Sequence, residues 1–480
     1  MNEKKLYTVD DCEKLTNQQV RELYKKHVNP AIEHLLGAFH LGEELIDHAE
    51  GVWIYTRNNE KILDVTGGIG VLSHGHNHPR ILNSRLSFQG KKRMEVHKTI
   101  FSPYVAALSH NISELLPDDL DYSFFCNSGA EAVEGAIKLA YKYHQGKRKV
   151  ILHSDISFHG KLLGSGTITA SQEVRYKFPR ISNTAQFEFN NIDSIIKKID
   201  EYRNESGKSD IYAIIAEPFS ASYLRACDPE FLKQLEKICN ENDIVLIFDE
   251  VYTGWYKTGN LFNFLDSSVI PDILTTSKSL GGGKASISAY VSRGSILKKA
   301  YGNIEDATLH TTSYNGFGEE CITAIEAINI TQEENFHDKS LKIEKIVNER
   351  CKKLMREFGN QVSECKGKGS LHGIFLKTNT GFGKMLSLLP LNLTKDKKFL
   401  PKLMAAAISD WLFKNFKIYV LFSTTEKVAL LFAPSLIIDE KEIHYFFDSL
   451  ESAFKKGVLK IVAKFSLKQF SQKINFDLKD

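Results

Sequence analysis

Three short segments carry residue types with reactive potential. The first, PDILTTSKSLGGGK, leads through small polar residues to Lys278 and then to three consecutive glycines, Gly281 to Gly283. Glycines remove side chains where a backbone bends tightly or lies against a ligand. A lysine held there has one covalent chemistry open to it, Schiff-base formation by its amine. The segment alone names no cofactor, and a solvated loop lysine is the plain alternative. The second, IVLIFDEV, is an apolar run that ends in Asp249 and Glu250. Open α/β sheets place ligands at such strand ends. A carboxylate there needs a cationic partner, either a metal or a protonated ring nitrogen, unless it only caps a helix. The metal reading requires a GxxxxGK[ST] loop, and the chain has none. The third, FFCNSGAEAVEGAIKLA, reads as strand, polar turn and helix, which puts the amides of Ser128, Gly129 and Ala130 at a helix N-terminus. Those amides suit a phosphate; capping by Ser128 or Asn127 with Glu131 in the first turn is the alternative.

These segments need a frame that holds them. From about 120 to 330, β-rich runs alternate with helical patterns: SFFCN (123–127), RKVIL (148–152), IYAII (211–215), IVLIF (244–248) and ISAYVS (287–292). That alternation predicts a mostly parallel, helix-covered sheet. Val133, Ile137, Ala140 and Tyr143 recur at helical spacing, as do Phe231, Leu235 and Ile238, so both stretches read as crossover helices. The C-terminal third, with helical stretches at 320–358, 398–414 and 439–457 around the strand candidates LHGIFLK and VALLFA, predicts a separate α/β lobe. The charged tail from about 458 has no evident place in it.

At 480 residues the chain exceeds what one core usually organises, and its 62 basic and 59 acidic residues nearly cancel. No broad electrostatic attraction to nucleic acid follows. No run approaches the roughly 18 apolar residues of a membrane span. The polar start MNEKKLYTVDDCEKL is unlike a signal peptide, so the cytoplasm is the expected compartment. Seven cysteines without ligand spacing suggest neither disulfides nor zinc.

The three segments, in this order and at these intervals, resemble the class III aminotransferases, fold-type I enzymes that use pyridoxal 5′-phosphate. LDVTGGIGVLSHGHNHPRI, SFHGK, IIAEPFSAS, DEVYTGWYKTGNLFNF, LHTTSYNGFG and GKGSLHGIFL extend the resemblance over roughly 25–457. HVNPAIEH, SFFCNSG and SFHGKLLG are most similar to putrescine aminotransferase-like members. The resemblance implies a large cofactor-binding domain over 91–335 and a small α/β domain built from 1–90 and 336–457, with 458–480 an extension. It makes Lys278 the Schiff-base lysine and Asp249 the partner of the pyridine nitrogen. It gives Ser128, Gly129 and Ala130 to the cofactor phosphate, Phe158 to the ring face, and His159, Glu217 and Tyr252 to its surroundings. Ser313, or Thr312 one residue earlier, matches a residue that reaches the neighbouring subunit's phosphate, which implies a homodimer with shared active sites. The implied reaction runs in two half-reactions, from an amine to the cofactor and from the cofactor to a carbonyl acceptor.

The sequence departs from the family pattern at the substrate side. Tyr252 stands where relatives usually have glutamine, Tyr256-Lys257-Thr258-Gly259 replaces Gly-Arg-Thr-Gly, and Phe219-Ser220-Ala221-Ser222 replaces glycines after Glu217-Pro218. Leu431 falls where relatives usually carry an arginine that grips a substrate carboxylate; Arg225 is the nearby candidate to replace it. An amine without an α-carboxylate is therefore the expected donor. Decarboxylases, epimerases and aminomutases share the lysine and aspartate, and a non-catalytic cofactor-binding relative would keep the fold.

Overall fold

The computed structural model describes residues 6–117, 119–170, 183–378, 399–423 and 427–477, with side chains placed as far as 467. Its centre is a seven-stranded sheet whose strands are β1 (Leu120–Cys126), β2 (Val150–Ser154), β3 (Thr184–Phe187), β4 (Ile211–Ala216), β5 (Val245–Asp249), β6 (Ile273–Thr276) and β7 (Ser288–Arg293). The spatial order is β1-β7-β6-β5-β4-β2-β3. Pairings from β3 through β6 are parallel, and β7 alone runs against its neighbours β6 and β1. The expected sheet is therefore present, with several strand boundaries one or two residues later than the sequence suggests.

β4 and β5 are buried along their whole lengths. Such strands read as unbroken apolar runs because helices cover both faces of the sheet. One cover is α1 (Gly129–Tyr143), whose Val133, Ala136, Leu139 and Ala140 pack beneath β2, β4 and β5. On the other side α2 (Pro229–Glu241) contributes Phe231, Leu232 and Leu235.

The C-terminal third forms α3 (Gly318–Glu333), α4 (Phe336–Phe358), α5 (Phe399–Phe416) and α6 (Glu440–Lys456), with a small antiparallel sheet between them. Its core joins Val52, Leu63 and Val65 near the N-terminus to Leu354, Leu412, Phe446 and Phe454. Ile418–Tyr419 also pairs in parallel with Lys61–Asp64, so the two ends of the chain share one sheet.

The tail is not loose. Residues Val458–Asp477 form α7, which packs on α5 and α6 through Val458, Ile461, Val462 and Phe465. That i, i+3, i+4, i+7 apolar spacing is the signature of a packed helix face, masked in the sequence by the lysines interleaved with it. The last three residues of the expected extension, 478–480, lie outside the described residues.

Candidate active site

Because most strands of the central sheet are parallel, their C-terminal ends gather on one edge, and each chemical segment begins there. β5 ends on Asp249, β4 stops just before Glu217, β2 leads into Phe158 and His159, β6 into Lys278, and β1 into α1. A cavity of about 860 Å³ opens at this edge, lined among others by Gly129, Ala130, Phe158, His159, Asp249 and Lys278.

Asp249 is buried at its floor and fully engaged. One carboxylate oxygen lies 2.7 Å from His159 Nδ1. The other accepts from the Val251 amide at 3.0 Å and the Thr275 hydroxyl at 3.1 Å. Thr275 is its register partner on β6, so the sheet itself aligns the pair. Sequence reading missed Thr275; its place three residues before Lys278 in TTSK is the signal that was available. His159 Nε2 has no partner among the described residues. Behind them Glu217 accepts from the Phe158 amide at 3.0 Å. Burial, reinforced by the charge of Asp249 and opposed by His159, pushes the Glu217 carboxyl up to about 7.

Lys278 opens a short 3-10 turn, Lys278–Gly281, and has φ of 48°. Left-handed backbone is uncommon for a side chain of this size and clusters at functional sites. The turn is held by Ser279, whose hydroxyl lies 2.6 Å from that of Ser73 and donates to the Gly70 carbonyl at 3.1 Å. Burial pulls the Lys278 amine down to about 8, with Asp249 and Glu217 pulling it back up. Lys257, more deeply buried, is drawn to about 7 by burial first; its Nζ donates to the Pro434 carbonyl at 3.2 Å.

At the start of α1, Ser128 Oγ takes the Glu131 amide and the Ser128 carbonyl takes the Ala132 amide. The amides of Gly129 and Ala130 remain at the open helix end, where both residues line the cavity. A Cβ on Gly129 would meet Val251 at 2.6 Å, so this close approach admits only glycine without a shift. The cap thus uses the Glu131 and Ala132 amides and leaves those of Gly129 and Ala130 to the cavity, which Ser128 itself does not line.

Phe158 lines the cavity with 40% of its surface exposed, leaving a ring face for stacking. Tyr252 lines it beside Lys278. Leu371, Phe422, Ser423, Leu431, Ile69 and Tyr223 form walls, most of which sequence reasoning did not single out because they come from distant loops and strands. No arginine lines the cavity among the described residues. Arg225, the expected substitute, is exposed and lies over the Phe189 ring at 4.6 Å, away from this lining. Ser313 and Thr312 also fall outside it: Ser313 is exposed on a segment whose Thr312 carbonyl accepts from Lys98.

Amides at a helix N-terminus, a buried carboxylate, a partly buried lysine of lowered basicity and a free aromatic face make a donor set that fits pyridoxal phosphate. The sequence pattern of the family described as aminotransferase class-III matches residues 41–454. A transaminase from the marine bacterium Virgibacillus superposes with a TM-score of 0.78 at 21% identity, covering 93% of this chain and 99% of that one. The ornithine aminotransferase from Toxoplasma gondii ME49 gives 0.74 at 19%, with 97% and 100% covered. A PMP-bound aminotransferase from Vibrio fluvialis gives 0.74 at 20%, with 87% and 93% covered. At these identities the structural matches establish the fold.

Proposed function

Since the chain belongs to the class-III aminotransferases and is a pyridoxal-phosphate-dependent transaminase, we propose that its amino donor is an amine lacking an α-carboxylate, a putrescine-like diamine being one fitting example. The observation that carries this reading is the apolar wall at Leu431, Leu371 and Phe422 in a cavity whose described lining has no arginine. A carboxylate entering a desolvated site without a cationic partner meets a penalty of several kcal/mol. Lys161, at the exposed mouth, is screened by solvent, and Lys278 is committed to the cofactor.

Within this reading each side chain has one task. The Gly129 and Ala130 amides would hold the cofactor phosphate, Phe158 would supply a face for the ring, and Asp249, oriented by His159 and Thr275, would be the anionic partner of the pyridine nitrogen. When bound, the cofactor supplies an electron-withdrawing ring that stabilises negative charge on the substrate carbon. Lys278 would anchor the cofactor and, when its amine is free, could move a proton at its Nζ. An amine near pH 8 is well matched to giving and taking protons at neutral to mildly basic pH.

Conversion of the cofactor to its pyridoxamine form, followed by absorbance, tests the donor class without knowledge of the acceptor. Putrescine and a simple alkyl amine are expected to convert it faster than glutamate or alanine. Much faster conversion by both amino acids would overturn the assignment and require a relocated arginine.

The second part of the reading is a homodimer in which Ser313 reaches the partner's cofactor phosphate. On its own segment Leu309 and Tyr314 are exposed apolar side chains, which an interface would cover. Ser313→Ala is expected to weaken cofactor retention by about 1.5–3 kcal/mol, the worth of a hydrogen bond to a charged group. Equilibrium dialysis against the cofactor measures this, and unchanged retention would remove Ser313 from the phosphate site.

A further inference from the structure

We infer that Tyr252 is a positioning residue for Lys278, its aromatic face holding the lysine's ε-ammonium at the cavity wall whenever that amine is not covalently engaged. The inference rests on the reading of Lys278 as the cofactor lysine. Lys278 Nζ lies 4.2 Å from the centroid of the Tyr252 ring, within the range of a cation–π contact. The ring is itself fixed: a Cβ on Gly70, where φ is 82°, would meet Tyr252 at 2.7 Å, so the glycine-rich segment packs directly against it. The same segment accepts the Ser279 hydroxyl through Gly70, which ties ring, glycine and lysine turn into one unit. Burial strengthens hold on the phenol proton, so the ring stays neutral and its face remains available to a cation.

The other charged groups around Lys278 are Asp249 at the end of β5 and Glu217 after β4, both favouring the ammonium, and Lys257 in the segment after Tyr252, opposing it. His159 is hydrogen-bonded to Asp249 and close enough to Glu217 to favour its charged form. The glutamine usual at position 252 in the family would present an amide; a tyrosine ring instead offers a face without hydrogen-bond direction. The released lysine then has a defined resting place within the cavity, and its charge is favoured there without a bond that must be broken before it moves a proton.

The experiment uses the holoenzyme converted to its pyridoxamine form by an amine donor, in which Lys278 is free. Acetic anhydride labelling across a pH series, with mass spectrometry of the Lys278 peptide, gives the midpoint at which the amine becomes reactive. Tyr252→Phe keeps the face and is expected to retain the wild-type midpoint. Tyr252→Leu and Tyr252→Met remove the face and are expected to lower it by about half a unit to one and a half units, the span that cation–π energies imply. Two ring-free variants guard against one failing to fold. Equal midpoints in all variants, or a Phe variant shifted as far as the ring-free ones, would overturn the inference. A control separates this from the underlying reading: before donor is added, Lys278 should resist labelling. If it labels freely at that stage, the cofactor is attached elsewhere and both readings fall; if it is protected and the midpoints do not move, only the role of Tyr252 does.

Discussion

Lys278→Ala is expected to leave a folded protein without the visible absorbance of bound cofactor and with turnover reduced by at least about 10³-fold, since it removes both the covalent anchor and the proton carrier. Lys161, the other lysine lining the cavity, stands at its exposed mouth rather than at its floor. Lys284 is exposed and absent from the described cavity lining, and Lys257 is fully buried with its amine on the Pro434 carbonyl. Methylamine added to the variant should restore part of the proton transfer if the void left by the side chain admits it. An unchanged visible band in Lys278→Ala would contradict the assignment.

Asp249→Asn is expected to reduce kcat by about 10²- to 10³-fold, the usual loss when a preorganised electrostatic group is removed from a dry site. The amide matches the carboxylate in shape, so the Val251 and Thr275 contacts at one oxygen survive. What changes is charge: the ring nitrogen loses its anionic partner, and the amide's N–H group competes with His159 for the role of donor. The same substitution removes a charge that favours the Lys278 ammonium, so the rise of kcat with pH should move to lower pH than in the wild type. Ser313→Ala should act on cofactor retention and spare kcat. Equal losses of kcat in the two variants would contradict the division of tasks.

The parts of this site legible in the sequence were those carried by local pattern. Buried parallel strands write themselves as apolar runs, so IVLIF located Asp249 at a strand end, and the turn before a helical repeat located Gly129 and Ala130. What stayed hidden depends on contacts between segments far apart in the chain. The bond between Asp249 and His159, ninety residues earlier, could not be read from the SFHGK motif that named His159, and the walls from Leu371 and Phe422 reach the cavity only because the C-terminal lobe packs over the sheet edge. The left-handed backbone at Lys278 was equally invisible, since a lysine does not advertise positive φ as glycine does. Leu431 was found by its departure from a pattern, and the structure puts it in the cavity wall; the compensating Arg225 suggested by proximity in sequence points elsewhere. The tail helix was missed because Lys460 and Lys464 in its first two and a half turns masked an apolar face that only packing reveals.

The most direct measurement is borohydride reduction of the holoenzyme followed by peptide mapping, because reduction fixes the cofactor to whichever lysine holds it. The account predicts the phosphopyridoxyl mass on the peptide containing Lys278 and on no other. The mass on Lys257 or Lys284 with Lys278 unmodified, or no lysine carrying it, would contradict the account.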